Sequence, residues 1–269
     1  MFTESAATDA PAARRTRQES GLSISRLFTK PGIDPLSQIE WDTRRSEIKS
    51  PDGKKIIFEM PDVEAPKDWS QVAVDIAADK YFRKAGVPGR GYEHSVRQIV
   101  DRVAKAIRAS GEKQGGYFAT AEDAQTFEDE LRYMLATQRG AFNSPVWFNA
   151  GIYEAYGAKG SACGLWAYDL EAHRTVEMQN SYERPQCSAC FIQSIDDDLM
   201  DIADFVKREM RLFKGGSGSG ANFSNLRAEG EPLSSGGTSS GVMSYLDVFD
   251  KGAGAIKSGG TTRRAAKMV

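Results

Sequence analysis

The pattern of this chain changes near Gly140, and that change constrains the fold more than any single motif. From Trp69 to about Gly140 apolar residues recur at helical spacing. Trp69, Val72, Ala73 and Ile76 share one face, and Val96, Ile99, Val100, Val103, Ala104 and Ile107 share another. Thr120 and Asp123 suit the N-cap and N3 positions of a capping box ahead of a stripe of Phe127, Leu131, Met134 and Leu135. Beyond Gly140 the segments shorten and glycine becomes frequent. A strand candidate at 189–195 runs into Asp196, Asp197 and Asp198. A helix candidate with Leu199, Ile202, Val206 and Phe213 in one stripe stops at Lys214-Gly215-Gly216. A second strand candidate covers 221–227, and a Ser/Gly-rich loop at 234–241 leads to a helix with Val242, Leu246, Phe249, Ala253 and Ile256 in register. This order is α/β grammar. It predicts a mainly helical region over 21–140 and an α/β part over 141–269.

The flanks are plainer. Residues 1–20 read as a disordered polar tail without the apolar core of a secretory signal. Around 21–65, Lys30-Pro31-Gly32, Asp34-Pro35 and Pro51-Asp52-Gly53 are turns, and the last precedes a strand candidate at 54–60. The end, 265–269, reads as the start of a strand, so the chain is expected to be truncated. A length of 269 residues, 40% apolar and 27% charged, suits a globular protein, and a net charge of −2 gives no general field for a nucleic-acid polymer. No apolar run approaches the roughly 18 residues that cross a bilayer. A cytoplasmic protein is expected, with no membrane partner.

Four motifs bear on chemistry. The run Gly215-Gly216-Ser217-Gly218-Ser219-Gly220 lets backbone amides approach an anion, although a linker or a helix C-cap explains it equally well. It lacks the Lys of a phosphate-binding P-loop. Lys257-Ser258-Gly259-Gly260-Thr261-Thr262-Arg263-Arg264 offers two arginines to a phosphate or a base, or is a solvated turn. Cys190 lies on a strand candidate as either a reductant or a core thiol. Cys187 is three residues before it, and on an extended strand the two side chains point to opposite faces. In Asn143-Ser144-Pro145-Val146-Trp147-Phe148-Asn149-Ala150-Gly151, Pro145 holds Ser144 extended and frees a hydroxyl, while Trp147 and Phe148 belong in a core. Ser194 and Asp197 fit a capping box, so the acidic triplet is either a helix start or an acceptor for a ribose hydroxyl. Cys163 has no arguable role. Three cysteines with the isolated His94 and His173 support a zinc site poorly, and no metal ligand is assigned.

The order and spacing of these motifs resemble the catalytic subunit of ribonucleotide reductases. The stretch from Gln193 to Leu199 and the ending from Lys257 to Val269 are closest to the vitamin B12-dependent class II enzymes. The resemblance covers roughly 22–269. It implies a ten-stranded α/β barrel, here partial, behind the helical region. It implies reduction of a ribonucleotide, expected as the diphosphate, for DNA synthesis, with adenosylcobalamin as cofactor and a thioredoxin-type reductant. By the same likeness Cys190 is one of the reducing thiol pair, and Ser144, Ala189, Cys190 and Gly218 line the substrate. Asp197, Leu199 and Arg227 match the allosteric dNTP site, and Gly259, Gly260, Arg263 and Arg264 the loop that couples effector to substrate. A homodimer is compatible with this. The radical cysteine and the partner of Cys190 are not in the sequence, so the isolated chain is expected to be inactive. Two other readings stay open: a non-catalytic nucleotide-binding regulatory module, and a redox protein using a Cys187–Cys190 pair.

Overall fold

The computed structural model describes residues 21–256. The expected tail at 1–20, the loop carrying Gly259, Gly260, Arg263 and Arg264, and the strand start at 265–269 lie outside the described residues. The first hairpin forms where the turn chemistry puts it. Strand β1 (Trp41–Lys49) pairs antiparallel with β2 (Ile56–Pro66), with register shifts between Arg44 and Ser46 and between Ile48 and Lys49. Gly53 takes φ +71° in the turn, and its N–H donates to Ser50 O at 2.8 Å. β2 continues past Met60 to Pro66, burying Met60, Val63 and Ala65.

Helix α1 (Gln71–Ile76) passes into a π-helical turn at Ala77–Tyr81. Its buried side is Val74, Ala77 and Ala78, whereas Val72 and Ile76 are 66% and 46% exposed. The expected Val72–Ile76 face is therefore wrong. Val72 and Ile76 do share one side of α1, but it is the solvent side, and the core is met by Val74 and by Ala77 and Ala78 of the π turn.

Helix α2 (Val96–Gln114) does keep it: Val96, Ile99, Val100, Val103 and Ala104 are all buried, behind a capping box of Ser95 and Gln98. Helix α3 (Ala121–Ala136) starts at Thr120, whose hydroxyl accepts from Asp123 N at 3.1 Å. The return half of that box is not made. Asp123 instead accepts from the Thr120 hydroxyl and from Ile24 N. The buried side of α3 also carries acid. Glu130 accepts from Phe28 N, Thr29 N and the Thr29 hydroxyl, and Arg26 pairs with Asp129 at 2.7 Å. Burial pushes the Glu130 carboxyl up, but these donors outweigh it and hold the group below its ordinary value. The first core joins Leu36, Met60, Val63, Val74, Phe82 and the α2 face to Leu135 and Val146.

Two short helices follow, α4 (Ser144–Asn149) and α5 (Ile152–Tyr156), then a hairpin of β3 (Trp166–Asp169) and β4 (Arg174–Glu177) that the sequence reading does not anticipate. Next comes a βαβ unit. β5 (Cys190–Gln193) and β6 (Gly218–Ala221) are parallel neighbours, joined by α6 (Leu199–Lys214). Helix α7 (Gly241–Ala255) packs against α6. A second core forms from Ile195, Ile202, Phe205, Leu226 and Phe249, with the rings of Phe205, Phe223 and Phe249 in mutual contact.

Several expectations over this part need correction. The second strand is not 221–227. It is the glycine run itself, which pairs in parallel register with Cys190–Gln193, while Asn222 onward leaves the strand. The first strand is shorter than 189–195. The cap of α6 is Asp198, which accepts from Met200 N and Asp201 N, so no Ser194–Asp197 box forms. Leu199 is 67% exposed, and Ile202, Phe205 and Phe213 carry the buried face.

The described chain is a mixed α/β structure. Its sheets are two-stranded, and no closed barrel occurs among the described residues. No described helix is long and apolar enough to cross a membrane.

Candidate functional site

The β5–β6 ribbon has two unlike faces. Phe191 and Gln193 are half-buried on one, where Gln193 Nε2 donates to the Ser219 hydroxyl at 2.7 Å. Cys190 and Ile192 occupy the other, and both are exposed. Paired residues in a sheet project to the same side, and the register sets Cys190 beside Gly218 and Ile192 beside Gly220. The thiol thus stands next to a position with no side chain. Packing does not require those glycines. A Cβ at Gly218 would meet only Ala189 O at 3.7 Å, and one at Gly220 only Ile192 Cδ1 at 3.5 Å, both ordinary contacts. The bare backbone leaves room for a ligand to approach.

The Asn143–Gly151 motif is fastened to the root of this ribbon. Asn149 Nδ2 donates to Gln186 O at 2.8 Å and to Gly215 O at 3.0 Å, tying α4 to the approach of β5 and the end of α6. Ser217 donates to Ser188 O, and Gln186 Nε2 reaches the Ser217 hydroxyl; Gly218 N donates to Ala189 O at 2.6 Å. Helix α4 is held from below by a buried arginine. Arg102 donates to Trp147 O and Ala150 O, both at 2.8 Å, and pairs with Glu93 at 2.7 Å, with both side chains almost fully buried. Gly151, at φ +74°, lies so close to Arg102 O that a Cβ would come within 2.2 Å. Tyr156 donates to Glu93 at 2.7 Å; burial, then the adjacent carboxylate, pushes its phenol well above the ordinary value.

Ala189, Cys190 and Gly218 are therefore brought together. Ser144 reaches the same neighbourhood only through α4. It is the first residue of that helix rather than an extended residue, since Pro145 occupies the first turn, where a missing N–H costs nothing. Its hydroxyl is 3.1 Å from Tyr81 Oη. Phe148 is not a core residue as expected. It stacks on Tyr81 with centroids 5.3 Å apart, at the wall of a cleft. Asp197 and Arg227 form a partly exposed ion pair at 2.5 Å, and the exposed Leu199 is two residues from Asp197.

All three cysteines are free. Cys187 packs against the first core, and burial pushes its thiol up. The missed residue is Asn149. It stands inside a motif already singled out, but an amide bridging two carbonyls far apart in the chain has no local signature.

The glycine ribbon and its thiol lie within a match to known proteins. Residues 188–269 match the family model described as "Ribonucleotide reductase, barrel domain", and residues 42–138 match "Class II vitamin B12-dependent ribonucleotide reductase". A vitamin B12-dependent ribonucleotide reductase of Agrobacterium fabrum is 48% identical over 92% of this chain and 22% of its own length. One from Rhodopirellula baltica is 43% identical over 93% of this chain and 24% of its own. A vitamin B12-dependent ribonucleoside-diphosphate reductase of Mycobacterium tuberculosis is 37% identical over 88% of this chain and 28% of its own. The chain thus spans about a quarter of the length of the curated relatives it matches. With both matched stretches in one chain and these relatives along nearly all of it, the chain belongs to the class II vitamin B12-dependent ribonucleotide reductases.

Proposed function

We propose that the protein containing this chain reduces ribonucleotides to 2′-deoxyribonucleotides, with Cys190 as one member of the reducing thiol pair. The observation that carries this reading is the register of Cys190 against Gly218 on the bare face of the ribbon. A ribose set against Gly218 would lie in reach of the thiol. Two thiols, Cys190 and one outside this chain, give up two electrons and two protons. They become a disulfide, and the 2′ hydroxyl leaves as water with hydrogen replacing it at carbon. A thioredoxin-type dithiol then reduces that disulfide.

Ser144, Ala189 and Gly218 line the substrate, the latter two by backbone. Asp197 accepts from the effector's sugar hydroxyl, Arg227 meets its phosphates, and Leu199 packs beside it. Gly259, Gly260, Arg263 and Arg264 form the loop linking the two sites. The paired approach of Asp197 and Arg227 supports the effector assignment. The diphosphate is the substrate level we favour, which the name of the M. tuberculosis relative supports.

Adenosylcobalamin, the cofactor of the family, supplies the initiating radical when bound. The described residues do not fit it. The cleft beside α4, about 350 Å³, is far too small for a corrin ring. We assign its site outside them, and assign the barrel, of which β5 and β6 are two strands, to the whole protein. The same proposal divides the chain at about residue 140 and places it in the cytoplasm.

The test is Cys190→Ser in the protein as its gene encodes it. Single-turnover binding of nucleotide persists, and multiple turnover with a thioredoxin-type reductant is abolished. Sustained turnover at the wild-type rate would remove Cys190 from the mechanism.

A further inference from the structure

A cleft of about 350 Å³ opens beside α4, away from the thiol face of the ribbon: none of Ser144, Ala189, Cys190 or Gly218 lines it. Its lining includes Lys80, Arg83, Lys84, Arg211 and Lys214 and not one carboxylate. In a chain whose net charge is −2, such convergence is a local feature and not the overall charge. These cations come from two separate places, the segment following α1 and the last turn of α6. Arg211 and Lys214 also complement the negative end of the α6 dipole, which accounts for their position on the helix. It does not account for Arg83 and Lys84 facing them.

Carboxylates act on this group only from outside the cleft lining: Asp79 and Glu93 lie near Lys84, and Glu93 accepts from Arg83 N. Lys80 pairs with Asp79, but Arg83, Lys84, Arg211 and Lys214 make no ion pair among the described residues. Arg83 is oriented instead by the Tyr182 hydroxyl at 2.7 Å, its guanidinium 4.9 Å from the centre of that ring. Lys84 donates to Ala78 O and lies 4.4 Å from the centre of the Phe58 ring. Arg211 passes over Gly164, where a Cβ would come within 2.8 Å of its Nη2. The wall opposite is aromatic, from the stacked Tyr81 and Phe148.

We propose that this cleft binds a small phosphorylated ligand, its phosphate between Arg83, Arg211 and Lys214. Arginines from two elements lining one cleft without carboxylates suit the several oxygens of a phosphate group. The volume holds a ligand no larger than a nucleotide. The site goes beyond the ribonucleotide reduction proposed above and does not depend on Cys190.

Cys163 is a built-in reporter, since it lines the cleft and is exposed. The experiment follows alkylation of each cysteine by neutral iodoacetamide, mapped by mass spectrometry, in the protein as its gene encodes it. The probes are inorganic pyrophosphate, ADP and adenosine. Pyrophosphate is expected to slow alkylation of Cys163 while Cys190 reacts at its unprotected rate. The double variant Arg211→Ala/Lys214→Ala, whose side chains are exposed and whose fold is checked by its melting midpoint, should need about tenfold more pyrophosphate or beyond for the same protection. Arg211→Lys should recover part of it. ADP protecting better than pyrophosphate would assign a nucleotide, and equal protection a free phosphate compound; either supports the site. Protection by adenosine alone, no protection of Cys163 by pyrophosphate or ADP, or protection that survives in the double variant would overturn it. Loss of turnover in Cys190→Ser bears on the reductase reading and leaves this result untouched.

Discussion

Glu209 lies on α6 with only 2% of its surface exposed, beside Ser219 of the glycine strand, and its Oε1 has no hydrogen-bond partner among the described residues. Burial pushes its carboxyl from 4.5 up to about 7, with the Ser219 hydroxyl opposing. The folded protein therefore holds a proton that the unfolded chain releases earlier. Stability from this group is complete below pH 4.5 and is lost as pH rises to about 7, to the extent of roughly 3 kcal/mol. Urea unfolding across that window should show the decline, and Glu209→Gln should flatten it. An unchanged slope in the variant would place the proton elsewhere. The acidic triplet at the start of α6 separates in the same way, residue by residue. Asp198 is the cap, so Asp198→Ala should cost about 1 kcal/mol in unfolding experiments and leave dNTP control intact. Asp197 makes a partly exposed pair with Arg227, so Asp197→Ala should cost under about 1 kcal/mol yet weaken dNTP control of turnover. If both variants lose control equally, the helix start matters and the Asp197 carboxylate does not.

Elements were legible in the sequence where one rule decided them. The α2 stripe, the Pro51–Gly53 turn and the stop of α6 at its glycines all follow from local chemistry. Where two rules compete, the sequence misleads. A glycine run reads as a loop, because glycine disfavours strands, and only the tertiary match to Cys190–Gln193 makes it β6. For the site, Cys190, Asp197 and Arg227 came from motif order, but their pairings could not, since register and ion pairs join residues about thirty positions apart. Helix α4 shows the same limit. Six residues cannot hold a helix alone, and what secures it is Arg102 on α2, which takes Trp147 O and Ala150 O while neutralising Glu93. Removing one partner of a buried pair leaves a bare charge. Arg102→Met should therefore lower stability by about 3–5 kcal/mol, read by chemical denaturation. The double variant Arg102→Met/Glu93→Gln should recover much of that. A loss below about 1 kcal/mol in the single variant would mean that α4 stands without it.

At the scale of the molecule, two cores are joined near α4. The first gathers the β1–β2 hairpin, α2 and α3, and the second gathers α6, α7 and the ribbon. Asn149 is a direct polar link between them, since α4 belongs to the first while Gln186 O and Gly215 O bracket the ribbon of the second. Any ligand that touches both the Ser144 motif and Cys190 relies on that link to hold the two at a fixed separation. Asn149→Ala removes both donated bonds and leaves two carbonyls without their partner, a cost of about 1–3 kcal/mol. The cost should fall on one side. Amide hydrogen exchange in α6 and β5 should speed by about tenfold or more, since each factor of ten is about 1.4 kcal/mol of local stability, while α2, protected by its own core, should keep its rates. Substrate affinity should weaken in the same variant without loss of the Cys190 thiol's ability to be oxidised, because the thiol remains and only its distance to α4 is freed. Equal acceleration across α2 and α6 would mean that the cores unfold as one unit and that Asn149 is an ordinary stabilising contact. Unchanged rates in both would mean that the apolar contact of Cys187 with the first core joins the halves unaided.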